Sequence, residues 1–117
     1  MSVPVPFSHM AFIRARAGCS EALGVRLSEL LEPSRQAPGC LQFSLQHSQG
    51  DPALWLVCGF WSDQAAMTAY FNTPAMSVFA ELVQQLLVDS LDFHTFREVA
   101  QSGTRAQCPV PMQRRAS

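Results

Sequence analysis

The sequence contains few charged residues, and their signs balance. Charged side chains make up 15% of the 117 residues, eight basic against nine acidic, which gives a formal net charge of −1. A nucleic-acid-binding protein would show an excess of basic side chains, so the composition argues against this class. Globular proteins usually carry about a quarter of charged residues. The low share therefore leads us to expect that a partner covers part of the surface.

The sequence also lacks a long hydrophobic run and closely spaced cysteines. No apolar stretch approaches the roughly 20 residues that cross a bilayer, and the first residues show no basic region followed by an apolar one, as a secretory signal would. The four cysteines, at positions 19, 40, 58 and 108, form no C-x-x-C pair. This spacing argues against a metal knuckle or a disulfide framework. We therefore expect reduced thiols, no membrane association and a cytoplasmic location.

Apolar side chains are abundant and follow the periods of strands and helices. They make up 48% of the chain, enough for the core of one compact domain. The predicted strands cover residues 9–17, 40–48, 54–61 and 90–99. The third strand is apolar on both faces and is therefore predicted to be buried on both. Helical stripes predict a first helix that is capped by Ser20 and kinked at Pro33, and a second helix that is broken at Thr73-Pro74.

The order of these elements, β-α-β-β-α-β, predicts a ferredoxin-like α+β domain over residues 9–99. Residues 1–8, with two prolines, are predicted to be an irregular lead-in. Residues 100–117 show no periodicity and are either a disordered tail or an arm on another subunit. Helices on one face of a single sheet leave the other face bare. The doubly apolar third strand therefore predicts a homodimer in which two sheets face each other.

Three segments together resemble the antibiotic biosynthesis monooxygenase (ABM) family. Residues 35–43, Arg-Gln-Ala-Pro-Gly-Cys-Leu-Gln-Phe, are similar to its helix-to-strand junction. Residues 56–66 are similar to its strand-to-helix segment, where a Trp ends the strand, and residues 70–76 match its broken helix. The resemblance implies a dimeric α+β barrel with a pocket between each sheet and its helices. It also implies, for some members, oxidation of phenolic or quinol-type polyketides by O₂ without metal or flavin.

The sequence departs from the family pattern at four positions. Gly59 stands where many members have Glu, Tyr70 and Met76 stand where they often have His, and Phe43 replaces a common Tyr. Of these four, only Tyr70 can transfer a proton, and it is a poor base at neutral pH. The departures favour an alternative function, a dimer that binds a small apolar ligand without catalysis. Haem degradation is not expected, because that branch needs an Asn on the first strand and the only Asn is Asn72.

The candidate site combines the resemblance with the strand pattern. If the protein is an enzyme, it is expected to be a monooxygenase without cofactor or metal, in which a phenol or enol loses a proton and reduces O₂. Trp61 and Tyr70 are predicted to donate hydrogen bonds to the substrate's oxygen atoms. His47 shares a strand face with Leu41 and is the candidate base. Three further side chains are expected to bind the aromatic substrate: Phe43, Met76 and Phe79.

The two other histidines are given no part in this site. His9 stands at the start of the predicted first strand and is expected to be exposed. His94 shares a strand face with Asp92, and no direct contact between them is expected. Arg14 and Arg16 are expected to pair with acidic residues across the dimer or to hold an acidic substrate.

Overall fold

The computed structural model describes residues 5–99, in which helices cover one face of a four-stranded antiparallel sheet. The strands are β1 (Phe7–Ala15), β2 (Cys40–His47), β3 (Leu54–Trp61) and β4 (Val88–Arg97). The helices are α1 (Ser20–Ser28), α2 (Leu31–Arg35), α3 (Gln64–Phe71) and α4 (Ser77–Gln84), with a 3₁₀ turn at Pro74–Met76 between the last two. The predicted ferredoxin-like order is confirmed. The predicted tail, residues 100–117, lies outside the described residues.

The order of the strands across the sheet places distant parts of the chain side by side. The order is β2-β3-β1-β4, so that β1 pairs with β3 on one side and with β4 on the other. In this register His9 lies opposite Gly59, and Gly59 lies opposite Phe43 on its other side. Because neighbours in such a row share a face, these three positions all face the helices.

Both helical regions are interrupted as predicted, the second at Thr73-Pro74, but the first breaks at residues 29–30 and not at Pro33. The first ends at Ser28 and restarts as α2, where Pro33 falls in the first turn and removes no needed hydrogen bond. The predicted Ser20 cap is wrong, because Cys19 occupies the N-cap and Ser20 instead accepts a hydrogen bond from Trp55. Asp63 caps α3 by accepting from the Ala66 amide at 2.8 Å. No helix within residues 5–99 is long and apolar enough to cross a membrane.

The core lies between the sheet and the helices. Its fully buried aliphatic side chains come from both layers: Ile13, Leu23, Leu27, Leu30, Val57 and Leu82. Leu41 does not join them, although the alternation in β2 predicts that it faces the same way as Phe43. A register shift between Cys40 and Gln42 turns Leu41 outward, where it is 61% exposed. An extra residue in one strand changes the alternation in this way.

The other face of the sheet has no helix over it; it is mainly apolar along β1 and β3 and mixed along β4, where Asp92 and His94 share it with Phe96. We call it the open face, and its large side chains are Met10, Phe12, Leu56, Phe60 and Phe96. Phe12 and Phe96 are 37% and 46% exposed, and Leu56 and Phe60 are half-buried. The prediction that β3 is buried on both faces is thus met only on the helix side in a single chain.

Candidate functional site

His9 lies at the centre of the helix-covered face and is fully buried, so the expectation that it is exposed is wrong. β1 begins at Phe7, two residues earlier than predicted, so His9 is its third residue and not its first. Its side chain points the same way as those of Ala11 and Ile13, which are buried under the helices. Gly59 makes room for the imidazole, since a Cβ at that position would overlap the His9 Cε1 atom.

One nitrogen of His9 is bonded and the other is not. The Trp61 Nε1–H donates to His9 Nδ1 at 3.0 Å, and both side chains are fully buried. Because Nδ1 accepts this bond, a neutral imidazole carries its proton on Nε2. His9 Nε2 is buried, and no group among residues 5–99 lies within hydrogen-bonding distance of it. His9 therefore presents an N–H donor that nothing in the described chain satisfies.

Burial also determines the charge of His9. It lowers the pKa of the imidazole from 6.5 to about 4, because the positive form loses its hydration inside the protein. At neutral pH the ring is therefore uncharged, with its proton on Nε2.

Aromatic rings enclose His9. Five rings, which we call the aromatic cluster, have centroids 5.2–6.0 Å from the imidazole centroid: Phe43, Trp61, Tyr70, Phe71 and Phe93. Trp61, Tyr70 and Phe93 lie within 20° of parallel to the imidazole. Phe71 and Phe93 are only half-buried. The cluster thus combines three rings nearly parallel to the imidazole with two, Phe43 and Phe71, that are tilted by 55° and 75°.

Two of the predicted wall residues lie at the margin of the cluster. Phe79 is buried and contacts Phe93 edge to face, with centroids 6.4 Å apart. Met76 is half-buried in the 3₁₀ turn and packs against the core. Five of the six predicted site residues therefore lie in or near the aromatic cluster: Phe43, Trp61, Tyr70, Met76 and Phe79.

Tyr70 connects the cluster with the surface. Its hydroxyl bonds to the buried hydroxyl of Ser34 at 2.7 Å, and its ring packs against His9. Burial raises the pKa of Tyr70, so the phenol stays protonated. On its other side Tyr70 lines a groove of about 520 Å³ that is open to solvent. We call this the Tyr70 groove, and it runs between α2 and the turn before α4, with Leu30, Pro33, Ala37, Pro74 and Val78 along it.

His47, the predicted base, lies elsewhere. It shares the face of Phe43, as the alternation predicts, but it pairs with Trp55 at the far end of β3. Four residues of strand separate it from Phe43, roughly 13 Å. His47 stacks on Trp55 with centroids 3.9 Å apart, and its Nε2 lies 2.8 Å from the Pro52 carbonyl oxygen. The structure therefore does not bring His47 together with Tyr70 and Trp61, and its role as base stays a prediction.

The remaining polar groups form contacts of their own. His94 Nε2 lies 3.2 Å from the Asp92 carboxylate, so the prediction that they do not touch is wrong. Arg14 pairs with Asp51 of its own chain. Burial raises the thiol pKa of Cys40 and of Cys58, and within residues 5–99 the cysteines are free, as predicted. The same part of the chain contains no group of three or more His, Cys, Asp or Glu arranged to hold a metal.

His9 and Ser34 are the site residues that the sequence analysis missed. For His9 a signal was available, since residues 7, 9, 11, 13 and 15 alternate on one face once the strand is extended to Phe7. For Ser34 there was none, because its contact with Tyr70 joins residues 36 positions apart.

The fold and the site together define a class: ferredoxin-like α+β proteins with an aromatic site between the sheet and its helices. A family model described as antibiotic biosynthesis monooxygenase matches residues 6–82. The chain therefore belongs to the antibiotic biosynthesis monooxygenase family. The matched segment runs from the start of β1 into α4 and contains His9 and the cluster residues of β2, β3 and α3.

Solved structures share this architecture. PA3566 from Pseudomonas aeruginosa is 29% identical and superposes with a TM-score of 0.75 over 86% of this chain and 100% of its own. A proposed antibiotic biosynthesis monooxygenase from Deinococcus radiodurans is 21% identical, with a TM-score of 0.74 over 87% of this chain and 99% of its own.

The match to one curated relative covers only part of that relative's length. The uncharacterized protein sll1783 from Synechocystis is 28% identical over 67 residues, which are 57% of this chain and 46% of the relative. The match thus spans about half the length of that protein.

Proposed function

We propose that this protein is a cofactor-independent monooxygenase that uses O₂ to oxidise a small phenolic, quinol or polyketide-like aromatic compound. Membership of the antibiotic biosynthesis monooxygenase family supports the general reaction, as does the shared fold of the Deinococcus protein. The observation that carries the proposal is the position of Tyr70. Its side chain lies at once in the lining of the Tyr70 groove and against His9 in the buried aromatic cluster.

The substrate enters through the Tyr70 groove. A volume of about 520 Å³ is within the range of pockets that hold small organic ligands. The lining is mainly aliphatic and proline side chains, which favour a molecule with a flat apolar ring system. A substrate oxygen near the Tyr70 hydroxyl would compete with Ser34 for its hydrogen bond, so the ring of Tyr70 becomes free to move.

The reaction relies on the acidity of the substrate itself. A phenol or enol loses its proton to water in the open groove, and the anion transfers one electron to O₂. The substrate radical and superoxide then combine at a carbon that carries hydrogen, and the peroxide anion takes a proton back from water to become a hydroperoxide. Loss of water from this hydroperoxide leaves a carbonyl, so that one oxygen atom enters the product and the other becomes water. The protein contributes the orientation of the anion.

The roles of the predicted residues follow from their contacts. Tyr70 is the hydrogen-bond donor to the substrate. Trp61 already gives its N–H to His9 Nδ1, so it positions His9 instead of contacting the substrate through that atom. His47 takes no part in this version of the reaction, because it stacks on Trp55 at the other end of β3.

A non-catalytic binding protein is the second candidate function. It is favoured by the state of the two polar residues of the cluster, since Nδ1 of His9 already accepts from Trp61 and the Tyr70 phenol stays protonated. Such a protein would retain the groove and the cluster and release its ligand unchanged.

We also propose that the working unit is a cytoplasmic homodimer. The open face is apolar across β1 and β3, β4 adds Phe96 to it, and Phe12 and Phe96 stay exposed on it in one chain. A second copy of the same face would bury these side chains and give a symmetric contact.

The experiment is oxygen uptake by metal-free protein with a panel of anthrones, quinols and catechols. We expect uptake that depends on protein, with a spectrum free of flavin and haem bands. Tyr70→Phe should lower the rate at least tenfold, whereas Thr68→Ala, an exposed position on the same helix, should leave it unchanged. Saturable binding by equilibrium dialysis without any uptake would reject the enzyme and favour the binding protein.

A further inference from the structure

We propose that His9 is the residue that recognises the ligand, with its Nε2–H donating to a carbonyl or phenolate oxygen of a flat aromatic compound. The inference deepens the proposed function and rests on it for the location of the ligand. It makes His9 the specificity-determining residue of the site, ahead of the residues that the sequence indicates.

The first argument is the unsatisfied donor. A buried N–H without a partner costs about 1–3 kcal/mol, and such groups are rare in folded proteins. His9 Nε2 is in this state inside residues 5–99, in a side chain with no exposed surface. A ligand oxygen bonded to Nε2 would remove the penalty, so the site gains most from a ligand that brings an acceptor.

The second argument is the fixed tautomer. The Trp61 N–H occupies His9 Nδ1 at 3.0 Å and leaves the imidazole proton on Nε2. A ligand that offers only N–H groups would place a donor against the His9 Nε2–H, and no hydrogen bond would form. A carbonyl oxygen can accept from Nε2, and a phenolate oxygen accepts more strongly because the bond is charge-assisted.

The third argument is the geometry of the rings. Tyr70, Trp61 and Phe93 are nearly parallel to the imidazole, with interplanar angles of 20°, 20° and 12°. Tyr70 lines the groove and packs against His9. A flat ligand that displaces the Tyr70 ring from the groove would approach His9 among these rings, and an oxygen at the ligand's edge, in the plane of the imidazole, would accept from Nε2.

The fourth argument is the space at Gly59. A Cβ at this position would overlap His9 Cε1, so only glycine allows the imidazole to lie where it does. The donor therefore depends on a matched pair of residues on β1 and β3.

The test compares two ligands that differ only in their oxygens. Anthraquinone-2-sulfonate carries two ring carbonyls and cannot be oxidised further, and anthracene-2-sulfonate has the same rings without them. By calorimetric titration, we expect the wild-type protein to bind the quinone about tenfold more tightly, the ratio that one hydrogen bond provides. His9→Phe should bind both equally, and His9→Gln, which keeps an N–H donor, should recover part of the preference.

A second readout needs no variant. In ¹⁵N-labelled protein the His9 Nε2–H resonance should move downfield with the quinone and stay in place with the anthracene. Equal affinities in the wild type, a preference unchanged in His9→Phe, or no binding of either compound would each overturn the inference. Oxygen uptake without ligand preference would leave the oxygenase standing and reject the role of His9. A preference for the quinone without oxygen uptake would support the role of His9 and reject the oxygenase.

Discussion

Gly59 and His9 face each other on adjacent strands, and the imidazole fills the volume that a side chain at 59 would need. The pair explains how a strand that is otherwise made of large apolar residues contains a glycine. It also ties the donor of the site to the packing of the sheet, so changes at either position affect both stability and binding.

The first prediction concerns Gly59→Ala. The added methyl group overlaps His9 and must displace it, which should lower the free energy of unfolding by about 1–3 kcal/mol. Gly50→Ala is the matched control, because nothing lies within 4 Å of a Cβ there, and it should change stability by less than about 0.5 kcal/mol. Urea denaturation measures both. Equal stability of the two variants would contradict the packing described here.

The second prediction concerns pH. The pKa of His9 is 6.5 when unfolded and about 4 when folded, so the unfolded chain binds the proton more tightly. Stability should therefore be complete above pH 6.5 and fall by about 3 kcal/mol as the pH drops to 4. Tyr70, the titratable side chain stacked on His9, stays neutral throughout because its pKa is raised.

Carboxylates also titrate in the lower part of this range, so the comparison with His9→Phe isolates the histidine. The difference in unfolding free energy between wild type and His9→Phe should change with pH over this window. A difference that is constant between pH 7 and pH 4 would show that His9 is not buried.

The third prediction concerns the bond between Ser34 and Tyr70. Tyr70→Phe leaves the Ser34 hydroxyl buried without its partner, which should cost about 1–3 kcal/mol of stability. Ser34→Ala should cost a similar amount, and the double variant should cost less than the sum of the two. A double-mutant cycle by thermal or urea unfolding measures the coupling. Strict additivity would mean that the two hydroxyls do not interact in solution.

The fourth prediction concerns assembly. Phe12→Arg places a charge on the open face and should convert a dimer into a monomer. Val83→Arg is the control, since Val83 is 52% exposed on α4, on the helix side of the sheet. Light scattering after size-exclusion chromatography gives the mass of each variant. A monomeric wild type would overturn the proposed homodimer.

The sequence predicted the elements well because their signals are local. The eight residues of β3 form an uninterrupted apolar run, and both of its bounds agree with the structure. Thr73-Pro74 predicts the break before α4, because proline is favoured at the first position of a helical turn. Family membership followed for the same reason, from short segments with the right residues in the right order.

The site was harder to predict because it depends on strand pairing. His9 gained its role from Gly59, fifty residues away, through a register that no local pattern encodes. His47 was assigned to the correct face. Its pairing with Trp55, at the other end of β3 from Trp61, depends on the strand register, which the sequence pattern does not show. Leu41 was predicted on the wrong face, because the register shift between Cys40 and Gln42 interrupts the alternation in β2.

The two tryptophans of the chain stand at opposite ends of β3. Trp61 is fully buried beside His9 and Tyr70, whereas Trp55 is half-buried and stacked on His47. Their fluorescence should therefore separate by wavelength, with Trp61 emitting further to the blue. A ligand that reaches Tyr70 would quench the blue component and spare the red one. The ratio of the two emissions gives an internal optical reference for occupancy that needs no added dye.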